Sequence, residues 1–178
     1  LPANRCAFCV QGRGVSDPHR KVVKEEMPRV ETDLMFVAGD GSIVESMDDA
    51  ALVNLVATDV SLLMTMVMAL PGKEVTDKVI DTLIKFIDNN GHHEVALRSD
   101  NEPVMRKLLF AIQAKRVKPV KVNFTPRYSS QSKGTVEGMI RRVQEQQRTM
   151  KLDAESRYGW KIPVNHPVYS WSCRHSGQ

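Results

Sequence analysis

Three acidic residues in this chain have the chemistry and the local setting of metal ligands. Asp33 lies within the apolar run VETDLMFV, Asp100 ends the strand-like HEVALRSD, and Glu137 lies at the start of the helix-like TVEGMIRRV. Carboxylate oxygens suit Mg²⁺ or Mn²⁺, and such a site suits phosphoryl transfer. If two strands and one helix bring these residues together, the chain is a candidate metal-dependent enzyme that acts on polynucleotides.

Two of these acids also have a simpler structural interpretation. Asp100 could cap the helix that follows it, and Glu137 could simply favour a helix N-terminus. Asp59 is a rival ligand, but it ends a strand before a tight turn, where a carboxylate more often accepts hydrogen bonds from the turn. We therefore predict that Asp33, Asp100 and Glu137 converge within metal-bridging reach and that Asp59 does not join them.

Hydrophobic periodicity predicts the elements that must position these acids. Three strands come first, and then helices alternate with strands in the order βββαβαβα. The five predicted strands are RVETDLMFV, ALVNLVATDV, SLLMTMVMAL, HEVALRSD and KPVKVNFT. The predicted helices run from Val75 to a stop at Gly91, through NEPVMRKLLFAIQAK, and from Thr135 to about Tyr158. We expect an α/β fold in which the first strand is central and lies beside the fourth, so that Asp33 and Asp100 occupy adjacent strands.

The charge distribution indicates a polyanionic partner. The net charge of the 178 residues is only +4, yet Lys115 to Lys151 holds ten basic and two acidic residues, whereas Glu31 to Ala50 holds six acids and no base. A basic block beside an acidic pole is typical of a nucleic-acid track that leads to metal-binding carboxylates. The alternative interpretation is an ordinary solvated helix face. No apolar run approaches the roughly 20 residues of a spanning helix, so a membrane role is not expected.

One face of the last helix carries the residues that could hold DNA. Arg141, Gln144, Arg148 and Lys151 follow Glu137 at spacings that place all of them on its side of the helix. Two further basic residues, Arg127 and Lys133, lie in the loop before that helix. Arg and Lys would bind phosphates without reading sequence, and Gln144 is the only member of the set that could read a base edge.

The cysteine and histidine residues indicate a metal site less strongly than the acidic residues do. The chain has three Cys, too few for a disulfide framework, and Cys6 and Cys9 have a spacing better suited to a metal in a reducing compartment. His19 could add a third ligand, but zinc needs four. The pair His92 and His93 is interpreted as a solvated turn.

The acidic residues and the loop between them resemble the catalytic core of retroviral and retrotransposon integrases, which belongs to the ribonuclease H-like superfamily. Asp100 and Glu137 are separated by 36 residues, close to the spacing in that family. The family's loop reads Pro, polar residues, Gln-Ser-x-Gly and then x-x-Glu. Here the matching residues are Pro126, Gln131, Ser132, Gly134 and Glu137. Two departures are Gly138, where a basic residue is common, and Glu102, where many relatives have Gly.

The resemblance implies a domain order and an activity. Residues 1–28 would be an irregular leader with the remnant of a zinc module at Cys6 and Cys9, 29–158 the integrase core, and 159–178 a tail. The segment as a whole resembles a piece of a retrotransposon polyprotein. The expected reaction is DNA 3′-end processing followed by strand transfer, with two Mg²⁺ or Mn²⁺ ions held by Asp33, Asp100 and Glu137, in a homo-oligomer working in the nucleus. The rivals are a decayed or domesticated DNA-binding or assembly module, and a ribonuclease H, which the integrase-type loop disfavours.

Overall fold

A mixed β-sheet organises the chain. The computed structural model describes residues 27–39, 42–44, 48–70, 74–125, 134–163 and 166–168. Its strands are β1 (Arg29–Val37), β2 (Ile43–Val44), β3 (Leu52–Asp59), β4 (Met64–Leu70), β5 (Val95–Asp100) and β6 (Val120–Thr125). Its helices are α1 (Asp77–Asn89), α2 (Pro103–Lys115) and α3 (Gly134–Tyr158).

The main path of the sheet has five strands in the order β4-β3-β1-β5-β6. The first three strands of the chain pair antiparallel, whereas β1, β5 and β6 run parallel to one another. This confirms the predicted α/β class and the five-stranded mixed sheet, with the first strand central and beside the strand that ends in Asp100. The two-residue β2, which pairs with the end of β1, was not predicted, because the acidic segment around it was interpreted as a loop.

The two faces of the sheet have different coverings. On one face, Leu55 and Leu97 pack with Leu83 of α1 and Leu109 of α2 in the larger core. On the other, Met35, Val56 and Val67 pack with Val143 of α3. Because side chains alternate along a strand, each strand residue belongs to one of these two layers. Asp33 lies two positions from Met35 and therefore belongs to the α3 layer.

Local sequence explains where the helices begin and end. Pro103 occupies the first turn of α2, where its missing N–H costs nothing. Gly91 follows α1 with a φ of +80°, and Gly159 follows α3 with a φ of +70°. Both positions use the left-handed conformation that favours glycine after a helix. None of the helices in the described residues is long and apolar enough to cross a membrane.

Gly138 weakens the start of α3. It lies inside the helix, its φ is not positive, and a Cβ placed on it would have no heavy atom within 4 Å. Gly138→Ala should therefore raise the free energy of unfolding by about 0.5–1 kcal/mol, because alanine loses less conformational freedom in a helix. Denaturant titration would measure the change.

Gly91→Ala is the matched control, because its Cβ would also meet no atom within 4 Å. The backbone there has positive φ, so alanine should destabilise the fold. If both substitutions raise the free energy of unfolding, or if Gly138→Ala lowers it, helix propensity does not govern the stability of the start of α3.

Candidate metal and nucleic-acid site

Asp33 and Asp100 each lie two residues beyond the last paired residues of the neighbouring parallel strands β1 and β5. The pairing of β1 with β5 sets Arg29 against Ala96 and Glu31 against Arg98, a constant offset of 67 residues. The same offset, continued by two residues, sets Asp33 against Asp100. The hydroxyl of Thr32 donates to the backbone carbonyl of Arg98 at 3.3 Å, so the strands remain in contact beyond the last paired residue.

The common register gives both carboxylates the same face. Side chains opposite one another on parallel strands point to the same side of the sheet, and strands lie about 4.8 Å apart. Both acids are half-buried. The Oδ1 atom of Asp33 accepts the backbone N–H of Leu34 at 2.8 Å. Asp100 ends β5 opposite Thr125, and Glu102, not Asp100, is the N-cap residue of α2. Capping is therefore not the role of Asp100.

Glu137 lies in the first turn of α3, the helix that packs on this same face of the sheet. The preceding residue, Val136, is buried, and its backbone N–H donates to Oε2 of Glu31 at 3.1 Å. Glu31 is two residues before Asp33 on β1 and belongs to the same layer. The start of the helix that carries Glu137 is therefore attached to the strand that carries Asp33.

The donor set suits a divalent cation, but the carboxylates are not gathered into a cluster. Within the ranges that the structure describes, no group of three or more His, Cys, Asp or Glu side chains could hold a metal ion. The expectation that Asp33, Asp100 and Glu137 lie within metal-bridging reach is thus not met there. The fold places three carboxylates on one face of the sheet. Asp33 and Asp100 lie on neighbouring strands, and Glu137 lies on the helix that covers them. All are oxygen donors of the kind that Mg²⁺ and Mn²⁺ prefer.

Asp59 is excluded from this site by its position. Alternation along β3 places it with Leu55 and Ala57 in the larger core, on the opposite face of the sheet. Its carboxylate is fully buried and accepts the backbone N–H groups of Ser61 at 2.9 Å and Leu62 at 3.1 Å. This confirms the prediction that Asp59 binds its turn and does not join the other acids.

The interpretation of His92 as part of a solvated turn is wrong. Its side chain is buried, and Nε2 pairs with Oδ2 of Asp59, which also accepts the side-chain amide of Asn90 at 2.9 Å. The backbone carbonyl of His92 accepts a hydrogen bond from the buried Arg116 at 2.7 Å. Asp59 and His92 are 33 residues apart, so no local pattern indicated the contact. This network lies at the amino-terminal ends of the parallel strands, away from Asp33.

The early part of the basic block forms ion pairs within the protein. Lys115 lies 2.8 Å from Asp81 of α1, and this hydrogen bond raises the pKa of Lys115 above its ordinary value. Arg116 and Lys118 both pair with Asp88, at 2.9 and 3.5 Å. Lys115 and Lys118 therefore fit the alternative of a solvated, ion-paired surface, whereas Arg116 is buried.

The later part of the block provides the exposed cations. Arg141 and Arg148 are exposed, whereas Gln144 and Lys151 are half-buried. At about 100° per residue, all four lie within about 40° of the direction of Glu137. The ammonium group of Lys151 lies 3.9 Å from Glu155. Arg127 and Lys133, together with the rest of the loop before α3, lie outside the described residues, as do Cys6 and Cys9, so their predicted roles remain predictions.

The comparisons with known proteins support the fold. No family model and no curated protein matches the sequence. In the simian T-cell lymphotropic virus intasome, solved in complex with PP2A regulatory subunit B56 gamma, the matching chain aligns with a TM-score of 0.51 at 15% identity. The alignment covers 94% of this chain and 56% of that one.

A second similar structure is the HTLV-2 integrase catalytic core domain, solved in a trimeric form in complex with magnesium. It aligns with a TM-score of 0.51 at 14% identity and covers 85% of this chain and 100% of that one. The chain therefore has an integrase catalytic-core-like fold, which confirms the structural resemblance found in the sequence. At these identities the likeness concerns the fold, and this chain spans just over half the length of the intasome chain.

Proposed function

We propose that this protein is the catalytic core of an integrase, a divalent-metal-dependent polynucleotidyl transferase that processes DNA 3′ ends and joins them to target DNA. The observation that supports the proposal is the β1–β5 register, whose 67-residue offset, extended two residues past the last pair, matches Asp33 with Asp100 on the face covered by α3. Two half-buried carboxylates on neighbouring strands repel one another unless positive charge offsets them. A shared cation removes that repulsion.

The three acids have distinct roles in the proposed metal site. Asp33 and Asp100 would hold the metal from the rigid sheet, and Glu137 would complete the site from the first turn of α3. Bound divalent ions supply charge stabilisation for in-line displacement at phosphorus and lower the pKa of the attacking oxygen. The protein's contribution is to orient the DNA end and to keep the carboxylates ionised and correctly spaced.

The basic face of α3, defined by Arg141, Gln144, Arg148 and Lys151, would bind the DNA backbone next to these acids. The proposal also includes that the protein derives from a retrotransposon, assembles with further copies of itself and acts in the nucleus. The HTLV-2 core solved as a trimer and the simian intasome support assembly of this fold into oligomers.

Removing one exposed arginine from the basic face should weaken DNA binding equally for all sequences. We expect Arg141→Ala and Arg148→Ala each to reduce the salt dependence of the association constant by about one phosphate contact, because Arg binds phosphate by releasing counterions. Binding isotherms across a salt series, with two unrelated duplexes, would measure the slope.

Arg157→Ala is the matched control. Arg157 lies on the same helix with its side chain 73% exposed and pairs with Asp153, but it points about 160° away from Glu137. Its removal should leave the slope unchanged. An unchanged slope in the Arg141 and Arg148 variants as well would show that DNA does not bind along this face.

A strand-transfer assay tests the proposed reaction. The full-length protein, given a duplex with a recessed 3′ end and a target duplex, should form joined products with Mg²⁺ or Mn²⁺ and none with chelator. Alanine or amide substitution of each acid in turn should remove the products.

The alternative is a DNA-binding or assembly module that has lost catalysis. The fold itself is compatible with this alternative, because one fold can host different functions. Metal-independent DNA binding without any joined product, in a protein that is folded and contains all three acids, would establish this alternative.

A further inference from the structure

Glu31 is a buried carboxylate next to the proposed site that the proposed chemistry does not use. It lies in β1 two residues before Asp33, and its exposed fraction is only 2%. Arg29 and Asp33 flank it in the same layer of the strand, and the apolar Met35 and Val37 follow. A charged side chain in such a place costs several kcal/mol unless its oxygens are well paired. Its contacts therefore indicate what it does.

The two oxygens of Glu31 have different partners. Oε1 lies 3.2 Å from Nε of Arg29, which is largely buried on the same strand. Oε2 accepts the backbone N–H of Val136 at 3.1 Å, a contact between residues 105 positions apart. The first N–H groups of a helix have no partner inside the helix, and the helix dipole favours a negative charge there. Glu31 thus satisfies a donor at the start of α3 from the adjacent strand.

This contact joins two of the three proposed metal ligands through a short path. Residues i and i+2 of a strand share a face and lie about 7 Å apart, so Glu31 and Asp33 project side by side. Val136 directly precedes Glu137. The hydrogen bond from Val136 to Glu31 therefore connects the strand segment of Asp33 to the helical turn of Glu137.

We propose that Glu31 is a positioning residue that sets where the first turn of α3, and with it Glu137, sits relative to Asp33 and Asp100. This inference rests on the proposed function and adds a residue to that site. Arg29 provides a counter-charge 3.2 Å from Oε1 of Glu31, and Glu31 holds the helix start through its bond to Val136. Reacting groups displaced by about 1 Å can lose about 100-fold in rate, so a contact of this kind acts on catalysis without touching substrate.

The chemistry of the side chain makes the inference specific. Glutamine retains an oxygen that can accept the Val136 N–H but loses the charge that pairs with Arg29 and with the helix dipole. Alanine removes both. A positioning role therefore predicts a graded series, with glutamine between wild type and alanine.

Amide hydrogen exchange tests the contact without any need for activity. The Val136 amide should be protected in the wild type, and Glu31→Ala should speed its exchange by at least tenfold with a smaller effect for Glu31→Gln. Asp88→Ala is the matched control, because it also removes a carboxylate that pairs with a buried arginine, here Arg116 at 2.9 Å and on another part of the fold. It should leave the Val136 amide unchanged. Unchanged exchange in Glu31→Ala would overturn the proposal.

Strand-transfer kinetics test the consequence. Glu31→Ala should lower the turnover rate by about 10- to 100-fold with DNA affinity unchanged. Glu31→Gln should be slower than wild type but faster than Glu31→Ala, and it should regain at least a third of the decrease in the logarithm of the rate. Asp88→Ala should keep the wild-type rate at temperatures where it is folded. If Glu31→Ala does not fold, Glu31→Gln alone decides, through a lowered rate with unchanged affinity.

The outcomes separate this inference from the proposed function. A wild type that joins no DNA ends contradicts the proposed function, and the exchange experiment still decides whether Glu31 holds the helix start. An active wild type with a Glu31→Ala variant of equal rate, or with a glutamine variant no better than alanine, contradicts the positioning role alone.

Discussion

Glu137→Gln is expected to reduce strand transfer and 3′-end processing by at least about 10³-fold while DNA binding and folding persist. The amide keeps the size of the side chain but removes the negative charge that a divalent ion requires. Stabilisation of the developing charge on the leaving oxygen is electrostatic and is poorly replaced by an amide. Single-turnover kinetics, with DNA affinity measured on the same preparations, would separate the loss of chemistry from any loss of binding.

Glu145→Gln is the control for that substitution. It makes the same chemical change on the same helix, eight residues further along, where the side chain is half-buried but points about 80° away from Glu137. It should retain close to the wild-type rate. If Glu137→Gln also retains that rate, Glu137 is structural and the metal site must be reassigned, with Glu102 the next candidate because it follows Asp100 by two residues. Asp59 is no longer a candidate, because it lies on the other face of the sheet.

The largest effect on stability is expected at Asp59. Its buried carboxylate accepts hydrogen bonds from two backbone N–H groups of the β3–β4 turn and from Asn90, and it pairs with His92. Asp59→Ala leaves the buried His92 without its partner and removes the acceptor of the turn N–H groups and of Asn90. Breaking a buried pair of this kind costs about 3–5 kcal/mol of the free energy of unfolding.

Urea denaturation at neutral pH would measure this loss. Glu74→Ala, which removes an exposed carboxylate just before α1, should change the free energy of unfolding by less than about 0.5 kcal/mol. A comparably small change for Asp59→Ala would show that the turn and the His92 contact are not held by this carboxylate. If Asp59→Ala does not fold, Asp59→Asn should show the same direction with a smaller loss, because the amide still offers one acceptor.

The sequence was sufficient to predict the sheet and the placement of two of the acids. The first strand was predicted with its observed bounds, and α3 was predicted to within one residue. The central position of β1 then placed Asp33 beside Asp100. The predicted role of Asp59 was also correct, because a carboxylate before a turn has nearby N–H groups to accept.

The errors arose where tertiary contacts overrule local pattern. The run SLLM was predicted as part of a strand, yet Ser61 to Leu63 form the turn, and Leu63 adopts a φ of 56° that leucine rarely uses. Leu62 and Leu63 remain about half exposed there, so their apolar character misled the prediction. The backbone bends because Asp59 accepts two N–H groups of the turn.

Two contacts between residues far apart in the chain could not be predicted from the sequence. Glu31 was seen only as one acid of the acidic pole, because its partner at Val136 is 105 residues away. His92 looked like a turn residue, because its partner at Asp59 is 33 residues away and lies on another strand. A long-range contact of a single side chain leaves no periodic signal.

Anomalous diffraction from crystals of the full-length protein with Mn²⁺ is the most direct test of the central claim. The account predicts two manganese peaks about 4 Å apart, the separation typical of two-metal sites, with the carboxylates of Asp33 and Asp100 in contact and that of Glu137 drawn in to complete the site. Saturating Mn²⁺ that gives no peak between Asp33 and Asp100, or peaks only at other acids, would contradict it.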